Sequence, residues 1–371
     1  MIDDLIEFSF ESLQPMQRED GVFCYEMRQG DPRTHGRSLR YTLMVLLGLQ
    51  KAEGAGYSHR FDVDALRSVL RREIDSPELA PGDLGLYLWV DARGGYGEGD
   101  ELVERLRARL DAEGGLPARE GQEMGWIVLG LAHNVAEGGS AGARELLDRA
   151  VGQLTGPNQA PNGLFHHHGT RGARRRFPNF ATQIYGTLAL ATAGRHGLDD
   201  RAMPAARAAA DRLLALQLPD GGWPWLFDTH RGCILERYPI FSVHQHAMAP
   251  MGLFELAEAT GEERYAEAAW RGLDWIYGRN ESRVDMVDRD SGLVLRSIRR
   301  PPKYDRVSLW SRTDAAMTLG AGNGGEANHV DLNRTDRPYS FGWVLEAWCG
   351  REPAAQAATA ADRWVASRSI T

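Results

Sequence analysis

Charged, aromatic and imidazole side chains concentrate where the apolar helical segments of this 371-residue chain begin. Arginine can bind a carboxylate or sulfate through two parallel hydrogen bonds, and aromatic rings stack on the faces of sugars. A set that combines these side chains indicates a site for an anionic saccharide. The predicted substrate-binding residues are Arg37, Arg40, Tyr41, Glu123, Trp223, Arg237, His246, Trp310, Arg312, Arg337 and Tyr339.

Three further residues in the same segments could catalyse the removal of a proton from C5 of a uronate. That proton is weakly acidic, so a cation must neutralise the carboxylate while the enolate forms. A base must lie on one face of the sugar, and epimerisation needs an acid on the opposite face. We predict Tyr238, His244 and Asp314 as the catalytic residues, with Arg237 or Arg312 at the carboxylate.

Hydrolysis of a glycosidic bond is an open alternative for the same segments. It requires two carboxylates that flank the sugar at a defined separation. A sequence does not give that separation, so both reaction classes remain open. The carboxylates that could form such a pair are Glu123, Asp228, Glu236 and Asp314.

The spacing of His244 and His246 also raises the question of a metal site. Ala249 precedes Pro250, so a helix is predicted to begin near the proline, after an extended stretch in which both histidines face one side. If a helix instead runs through them, their side chains point about 200° apart and cannot share an ion. We predict neither a bound metal nor a cofactor.

Apolar residues recur at helical spacing over most of the chain and divide the predicted helices into two sets. One set is apolar all round, as expected for an inner layer, and the other has a single apolar stripe, as expected for an outer layer. Together they predict an all-α fold, an (α/α)6 toroid formed by a single domain over residues 1–371. The predicted inner helices are Arg37–Glu53, Asp83–Asp91, Gln122–Ala136, Asn179–Ala193, Pro250–Ala259 and Tyr339–Cys349. The predicted outer helices are Val63–Ile74, Asp100–Ala112, Ala141–Leu154, Arg201–Leu216, Glu263–Tyr277 and Ala354–Ala366, with further helices at Asp3–Leu13 and Leu309–Leu319.

The links between predicted helices differ in length according to their direction. Links from an outer to an inner helix are often long, as at Gln14–Gly36, Thr155–Pro178, Pro219–Ala249 and Gly278–Ser308. In an alternating ring, all links of this direction fall on the same face. Because long loops commonly carry function, we predict that this mouth of the ring holds the site.

The long links contain a repeat of the form Q-x-x-[DN]-G-x-aromatic, which occurs at 17–23, 159–165 and 217–223. An Asp-Gly or Asn-Gly pair turns the chain, the aromatic ring wedges between helix pairs, and the glutamine can bind free backbone groups. The repeat resembles the QxxxGxW motif of the terpene cyclase and prenyltransferase toroids. This resemblance implies the toroid fold and, as an alternative function, a terpenoid cyclase-like enzyme with a dry aromatic cavity. The D-x-D-D motif of class II terpene cyclases does not occur in the sequence.

A second resemblance covers about 60 residues, from the Gly-Gly-Trp-Pro segment at 221–224 through 238–251 to 259–268. This region resembles the helical catalytic domain of glucuronyl C5-epimerases, which also has a GGWP turn and a Tyr- and Ser-containing approach to an inner helix. The resemblance implies epimerase activity on a uronate. The β-rich region that precedes that domain in the family does not occur here.

Composition restricts the partners of the protein. The net charge of −8 argues against general nucleic-acid binding, and no apolar run reaches the length of a membrane span. The N-terminus has no secretory-signal pattern and the three cysteines have no zinc spacing, so we predict a cytoplasmic protein. A third functional alternative is a non-catalytic toroid that binds a polymer or protein, in which arginine and tyrosine side chains scatter over the rim.

Overall fold

The computed structural model describes residues 1–170, 172–301 and 329–351, and it is mainly helical. Twelve α-helices occur in these ranges. They are α1 (Ile2–Leu13), α2 (Leu39–Gly54), α3 (Val63–Arg72), α4 (Pro81–Gly94), α5 (Gly99–Ala112), α6 (Gly121–Ala136), α7 (Ala141–Thr155), α8 (Phe180–Arg195), α9 (Ala202–Leu216), α10 (Ala249–Thr260), α11 (Glu263–Ile276) and α12 (Pro338–Trp348). The described helices do not include one with the length and apolar character needed to cross a bilayer.

Six inner helices form a closed ring, which confirms the predicted (α/α)6 toroid. In order around the ring, α2, α4, α6, α8, α10 and α12 each pack on the next, and α12 packs back on α2. One hydrophobic core runs through the ring and beneath the outer helices. Each inner helix is buried on nearly all sides, which explains why its sequence is apolar all round.

Outer helices α3, α5, α7, α9 and α11 follow inner helices α2, α4, α6, α8 and α10 along the chain, as predicted. The first helix of the chain, α1, packs against α12, the last inner helix, and thus takes a place in the outer layer there. The sequence pattern alone places this helix outside the six predicted pairs. The two other predicted helices, Leu309–Leu319 and Ala354–Ala366, lie outside the described residues.

Glycines allow the inner helices to approach at backbone distance. A Cβ atom added to Gly130 of α6 would lie 1.9 Å from the carbonyl oxygen of Gly85 in α4. Between α2 and α12, a Cβ atom on Gly48 would lie 2.2 Å from the carbonyl oxygen of Gly342. Any side chain at Gly48 or Gly130 would therefore push the ring apart.

The repeated motif in the long links ties neighbouring outer helices together. The Gln217 side-chain amide donates to the Gly221 carbonyl at 2.8 Å and to the Ala268 carbonyl of α11 at 2.9 Å. The following aromatic residue, Trp223, is buried in the core. Gln159 makes the equivalent two bonds, within its own turn and to α9. The motif therefore stabilises the fold, as its sequence indicated.

Short antiparallel strands, which the sequence analysis had not predicted, occur in the long links at the mouth. The strands are β1 (Glu26–Arg28), β2 (Asp31–His35), β3 (Leu226–Asp228), β4 (Cys233–Glu236), β5 (Ile240–Phe241), β6 (Val287–Asp288), β7 (Leu293–Val294), β8 (Ser297–Arg299), β9 (Asp331–Asn333) and β10 (Thr335–Asp336). They form sheets in the orders β10–β1–β2, β3–β4, β5–β8–β9 and β6–β7. Two of these sheets, β10–β1–β2 and β5–β8–β9, connect links that are distant in sequence, whereas β3–β4 and β6–β7 are local hairpins.

The fifth inner helix begins earlier than predicted, because a π-helical turn over His244–Met248 precedes α10. Proline lacks an N–H group, so Pro250 cannot bond the carbonyl four residues before it. That carbonyl, of His246, instead accepts a hydrogen bond of 2.7 Å from the Trp348 indole. The helix can therefore continue through the proline, and the predicted extended stretch does not occur.

Candidate active site

The amino-terminal ends of five inner helices surround a cavity that opens to solvent, with about 620 Å³ of space in the cavity and at its open mouth together. Helix amino termini carry partial positive charge, which favours an anionic ligand at this mouth. The lining residues come from these helix ends and from the long links. They are Arg40, Tyr41, Met44, Gln122, Trp126, Asn179, Ala181, Tyr185, Trp225, Phe241, His244, Met248, Arg296, Arg337 and Tyr339.

His244 lies in an aromatic cage on the cavity wall. Its ring centroid is 4.6 Å from that of Phe180 and 5.2 Å from that of Phe241, and it stacks on Trp225 at 6.0 Å. Burial lowers the pKa of His244 to about 3, and the positive charge of Arg296 acts in the same direction. Its Nδ1 atom is buried and has no hydrogen-bond partner among the described residues. The imidazole is therefore uncharged at neutral pH and can accept a proton.

Two arginines bring positive charge to the same cavity. Arg337 donates from Nη1 to the Tyr41 hydroxyl at 2.7 Å, and its buried Nε has no hydrogen-bond partner in the part of the chain that the structure describes. The Arg296 guanidinium lies 5.0 Å from the Phe241 ring centroid. Neither arginine forms an ion pair with a carboxylate of the described residues. A ligand carboxylate, sulfate or phosphate could therefore supply the missing negative charge.

A buried carboxylate fixes the two chain segments that carry these arginines. Asp336 accepts hydrogen bonds of 2.7 Å from the backbone N–H of Arg337, the hydroxyl of Ser340 and the backbone N–H of Val294. Burial raises the pKa of Asp336 to about 6, while these hydrogen bonds oppose the rise. Since Val294 lies two residues before Arg296, Asp336 positions both cations.

The β5–β8–β9 sheet connects Arg296 to the approach of the fifth inner helix. The Arg296 carbonyl accepts from the Ser242 N–H, and the Arg296 N–H donates to the Asn333 carbonyl, both at 2.9 Å. Ser242 stands two residues before His244. The backbone of Arg296 is therefore anchored beside the segment that carries the histidine.

Arg40 differs from the other two arginines because it already has a partner. Its Nε and Nη2 atoms donate to the two carboxylate oxygens of Asp83, at 2.5 and 2.9 Å. The guanidinium lies 5.1 Å from the Trp126 ring centroid. Asp83 also accepts from the Ala80 N–H at the start of α4. Arg40 therefore lies in the cavity wall with its charge already balanced by the Asp83 carboxylate.

Tyr185 forms a buried part of the cavity wall and retains its proton. Its hydroxyl oxygen accepts a hydrogen bond of 2.7 Å from the Trp343 indole, and burial raises its pKa well above the ordinary range. The hydroxyl proton has no acceptor among the described residues. It can therefore be donated to an oxygen of a ligand in the cavity.

Glu123 lies in the first turn of α6, next to the lining residues Gln122 and Trp126. Burial raises the pKa of its carboxyl group, and the positive charges of Arg119 and Arg40 oppose the rise. The nearest Arg119 nitrogen is 3.8 Å away. Glu123 is thus a partly desolvated carboxyl group next to the lining residues, although it does not itself line the cavity.

Like Glu123, five further predicted site residues are not among those that line the cavity. Arg37 forms ion pairs with Glu73 at 3.2 Å and Glu78 at 3.8 Å, so it connects helix ends at the outer layer. Trp223 is buried against Phe180, and its backbone N–H donates to Gln245. The aromatic position of the repeated motif is therefore part of the core, and Trp223 does not line this cavity.

Arg237 and Tyr238 also do not line the cavity. The Tyr238 hydroxyl donates to Glu281 at 2.6 Å, and the Arg237 guanidinium lies 3.1 Å from the same carboxylate. His246 is fully buried and faces away from the cavity, with Nδ1 2.6 Å from the Ser242 carbonyl oxygen. The cause is the helical turn through 244–248, which separates the directions of the two histidines. No group of three or more described His, Cys, Asp or Glu side chains could hold a metal ion.

The remaining predicted residues divide into two groups. Arg40, Tyr41, His244, Arg337 and Tyr339 line one cavity, where the structure brings them together. Trp310, Arg312 and Asp314 lie outside the described residues.

Several lining residues were missed in the sequence analysis. Trp126 and Tyr185 lie inside apolar inner helices, where an aromatic residue is expected to be core. Arg296 belongs to an arginine-rich link, but its sequence does not distinguish it from its neighbours Arg299 and Arg300.

No protein-family profile and no curated protein sequence matches the chain. Its structure is similar to that of a sugar epimerase from a ruminal bacterium, with a TM-score of 0.67 and 12% identity over 95% of this chain and 100% of that chain. The cellobiose 2-epimerase of Bacillus thermoamylovorans has a TM-score of 0.60 and 10% identity, over 93% and 99% of the two chains. An unsaturated glucuronyl hydrolase specific for heparin has a TM-score of 0.59 and 12% identity, over 94% and 95%. At these identities the similarity establishes the toroid fold, and it gives no support to the predicted relation with terpene cyclases.

Proposed function

We propose that this protein is a carbohydrate-active enzyme that removes a proton from a carbon next to the carboxylate of an anionic saccharide. The observation that carries the proposal is the pairing of an uncharged, caged His244 with Arg296 and Arg337, which have no carboxylate partner among the described residues. The sugar epimerase and glucuronyl hydrolase activities named for proteins of similar fold support a saccharide as the substrate.

In the proposed reaction His244 is the base. The C5–H bond of the uronate breaks, the proton moves to the imidazole, and the electron pair is delocalised onto the carboxylate as an enolate. Arg296 and Arg337 stabilise the added negative charge. The pKa of His244 is about 3 in the cavity without a ligand. Developing negative charge beside the ring raises that pKa and makes the transfer more favourable.

Two outcomes follow from the same enolate. Return of a proton to the opposite face of C5 gives the epimer, and Tyr185 has a proton available for that step. Breakage of the C4–O bond instead gives a C4–C5 double bond, with the departing oxygen protonated by an acid. The first outcome makes the enzyme an epimerase and the second makes it a lyase.

Hydrolysis is the second candidate function, and Glu123 is the observation that favours it. A carboxyl group with a raised pKa beside the cavity could protonate a glycosidic oxygen or a double bond. In that case Glu123→Gln would abolish activity while His244→Asn would leave most of it. The proton-abstraction proposal predicts instead that His244→Asn abolishes activity and that Glu123→Gln leaves most of it.

The experiment is an incubation with glucuronate-containing glycans in deuterated water. Nuclear magnetic resonance reports loss of the C5 proton, ultraviolet absorbance reports an unsaturated product, and a reducing-end assay reports hydrolysis. We expect C5 exchange with or without unsaturation. New reducing ends without exchange or unsaturation would contradict proton abstraction and favour the hydrolase.

A further inference from the structure

A stack of three tyrosines extends the cavity wall toward solvent. Tyr339 and Tyr41 line the cavity, with ring centroids 4.7 Å apart. Tyr25 continues the stack, 5.6 Å from Tyr41 and with ring planes 22° apart. Tyr25 is 41% exposed, whereas Tyr41 is 9% exposed. The stack therefore connects the interior of the cavity with its open rim.

The exposure of Tyr25 is unusual in this protein. Within the described ranges, only Met1 and Tyr25 are large hydrophobic residues with this much exposure. A terminal methionine needs no explanation, but an exposed aromatic ring beside a polar cavity has the properties of a ligand contact. An aromatic face can pack against the apolar face of a sugar ring at small entropic cost.

The backbone and its neighbours hold Tyr25 rigidly. Its N–H donates to the His35 carbonyl at 2.9 Å, which closes the hairpin formed by β1 and β2. Strand β1 also pairs with β10, which leads directly to Arg337. The Arg337 guanidinium lies 4.2 Å from the Tyr25 ring centroid. The first and last links of the ring thus fix Tyr25 and the cavity arginine together, and a preorganised contact loses little entropy on binding.

We propose that Tyr25 is the platform of a second sugar subsite, so that the substrate is an oligosaccharide or glycan end rather than a monosaccharide. This inference rests on the proposed function for the position of the reacting sugar. The anionic unit lies in the cavity near His244, and the adjoining unit packs on Tyr25. Arg337 lies between the two units and can bond to both, because it contacts Tyr25 and Tyr41.

Isothermal titration calorimetry with glucuronate and with glucuronate-terminated di- and trisaccharides tests the subsite. We expect the disaccharide to bind the wild-type protein about tenfold more tightly than glucuronate, the size of one aromatic contact. Tyr25→Ala should remove that difference, because it removes the ring on which the second sugar packs. Tyr25→Phe retains the ring and should retain the difference. Tyr57→Ala is the matched control, because Tyr57 follows the opposite end of α2.

The deuterium-exchange assay with the same ligands separates this inference from the proposed function. Exchange that is equally efficient for glucuronate and the disaccharide, and insensitive to Tyr25→Ala, overturns the subsite while the function stands. Length-dependent binding that Tyr25→Ala removes, without exchange, supports the subsite and contradicts the function. If no saccharide of the series binds, both are wrong.

Discussion

Replacing His244 by phenylalanine should change how the stability of the protein depends on pH. The pKa of His244 in the folded protein is about 3, below the ordinary value of 6.5. Between these pH values the unfolded chain binds a proton at this position that the folded protein does not bind. Acidification therefore favours unfolding, and the stability associated with the neutral histidine is lost progressively as the pH falls below 6.5.

The size of the effect follows from the pKa shift. A group in this window contributes about 1.4 kcal/mol per pH unit, so lowering the pH from 6.5 to 5 costs about 2 kcal/mol at His244. Phenylalanine fits a cage of Phe180, Phe241 and Trp225 and does not titrate. The unfolding free energy of His244→Phe minus that of wild type should therefore be about 2 kcal/mol larger at pH 5 than at pH 7.5.

Urea unfolding at several pH values between 5 and 8 measures this difference. His196→Phe is a suitable control, because His196 is exposed at the opposite end of α8 and should give a much smaller change. If wild type and His244→Phe lose stability in parallel on acidification, His244 is not buried as a neutral group, and the argument for an uncharged base is wrong.

Three further substitutions test other parts of the account. Arg337→Met should raise KM for an anionic glycan by about tenfold or more and reduce the sensitivity of KM to salt, because it removes a cation that has no carboxylate partner among the described residues. An unchanged KM in steady-state kinetics would contradict this role. Tyr185→Phe should lower kcat by about 100-fold if the enzyme is an epimerase, because it removes the proton donor. It should also lower the unfolding free energy by about 1–3 kcal/mol in thermal unfolding, since the Trp343 indole loses its hydrogen-bond acceptor. A kcat at the wild-type level would exclude Tyr185 as a proton donor. Gly130→Ala should lower the unfolding free energy, measured by calorimetry, by about 3 kcal/mol or more, because its Cβ would lie 1.9 Å from a carbonyl oxygen. Gly54→Ala is the control and should be neutral or stabilising, since the space around Gly54 is open. Equal effects of the two substitutions would contradict the glycine contacts of the ring.

The helices of the toroid were predictable from local pattern alone. The stretch 122–136 was predicted as an inner helix and occurs as Gly121–Ala136, and 63–74 was predicted as an outer helix and occurs as Val63–Arg72. Helical periodicity is a local property that burial in a ring strengthens. The direction of the long links then predicted the mouth of the ring that bears the cavity.

The orientation of individual side chains was less predictable, because it depends on contacts between distant segments. At the π-helical turn 244–248, the Trp348 indole donates a hydrogen bond to the His246 carbonyl, which Pro250 cannot bond because it has no N–H group. Without that partner, proline correctly predicts a helix start. Tyr238 was predicted as catalytic from its type and neighbourhood, but its hydroxyl bonds to Glu281, a residue more than 40 positions away.

The partners of the charged side chains were also not predictable from the sequence. Arg37 and Arg40 are alike in sequence, yet Arg37 bonds to surface acids and Arg40 to the buried Asp83. Arg337 lines the cavity without a described carboxylate partner, because Asp336 turns its carboxylate toward backbone N–H groups. Which arginine stays available for a ligand is decided by partners that a linear pattern does not reveal.

The most direct measurement of the central claim is the rate of deuterium incorporation at C5 of a glucuronate-terminated disaccharide, compared between wild type, His244→Phe and His196→Phe. If His244 is the base, wild type and His196→Phe should exchange the C5 proton at similar rates, and His244→Phe should be slower by at least about 1,000-fold while still binding the disaccharide. Exchange by His244→Phe at the wild-type rate would show that another group removes the proton and would contradict the account.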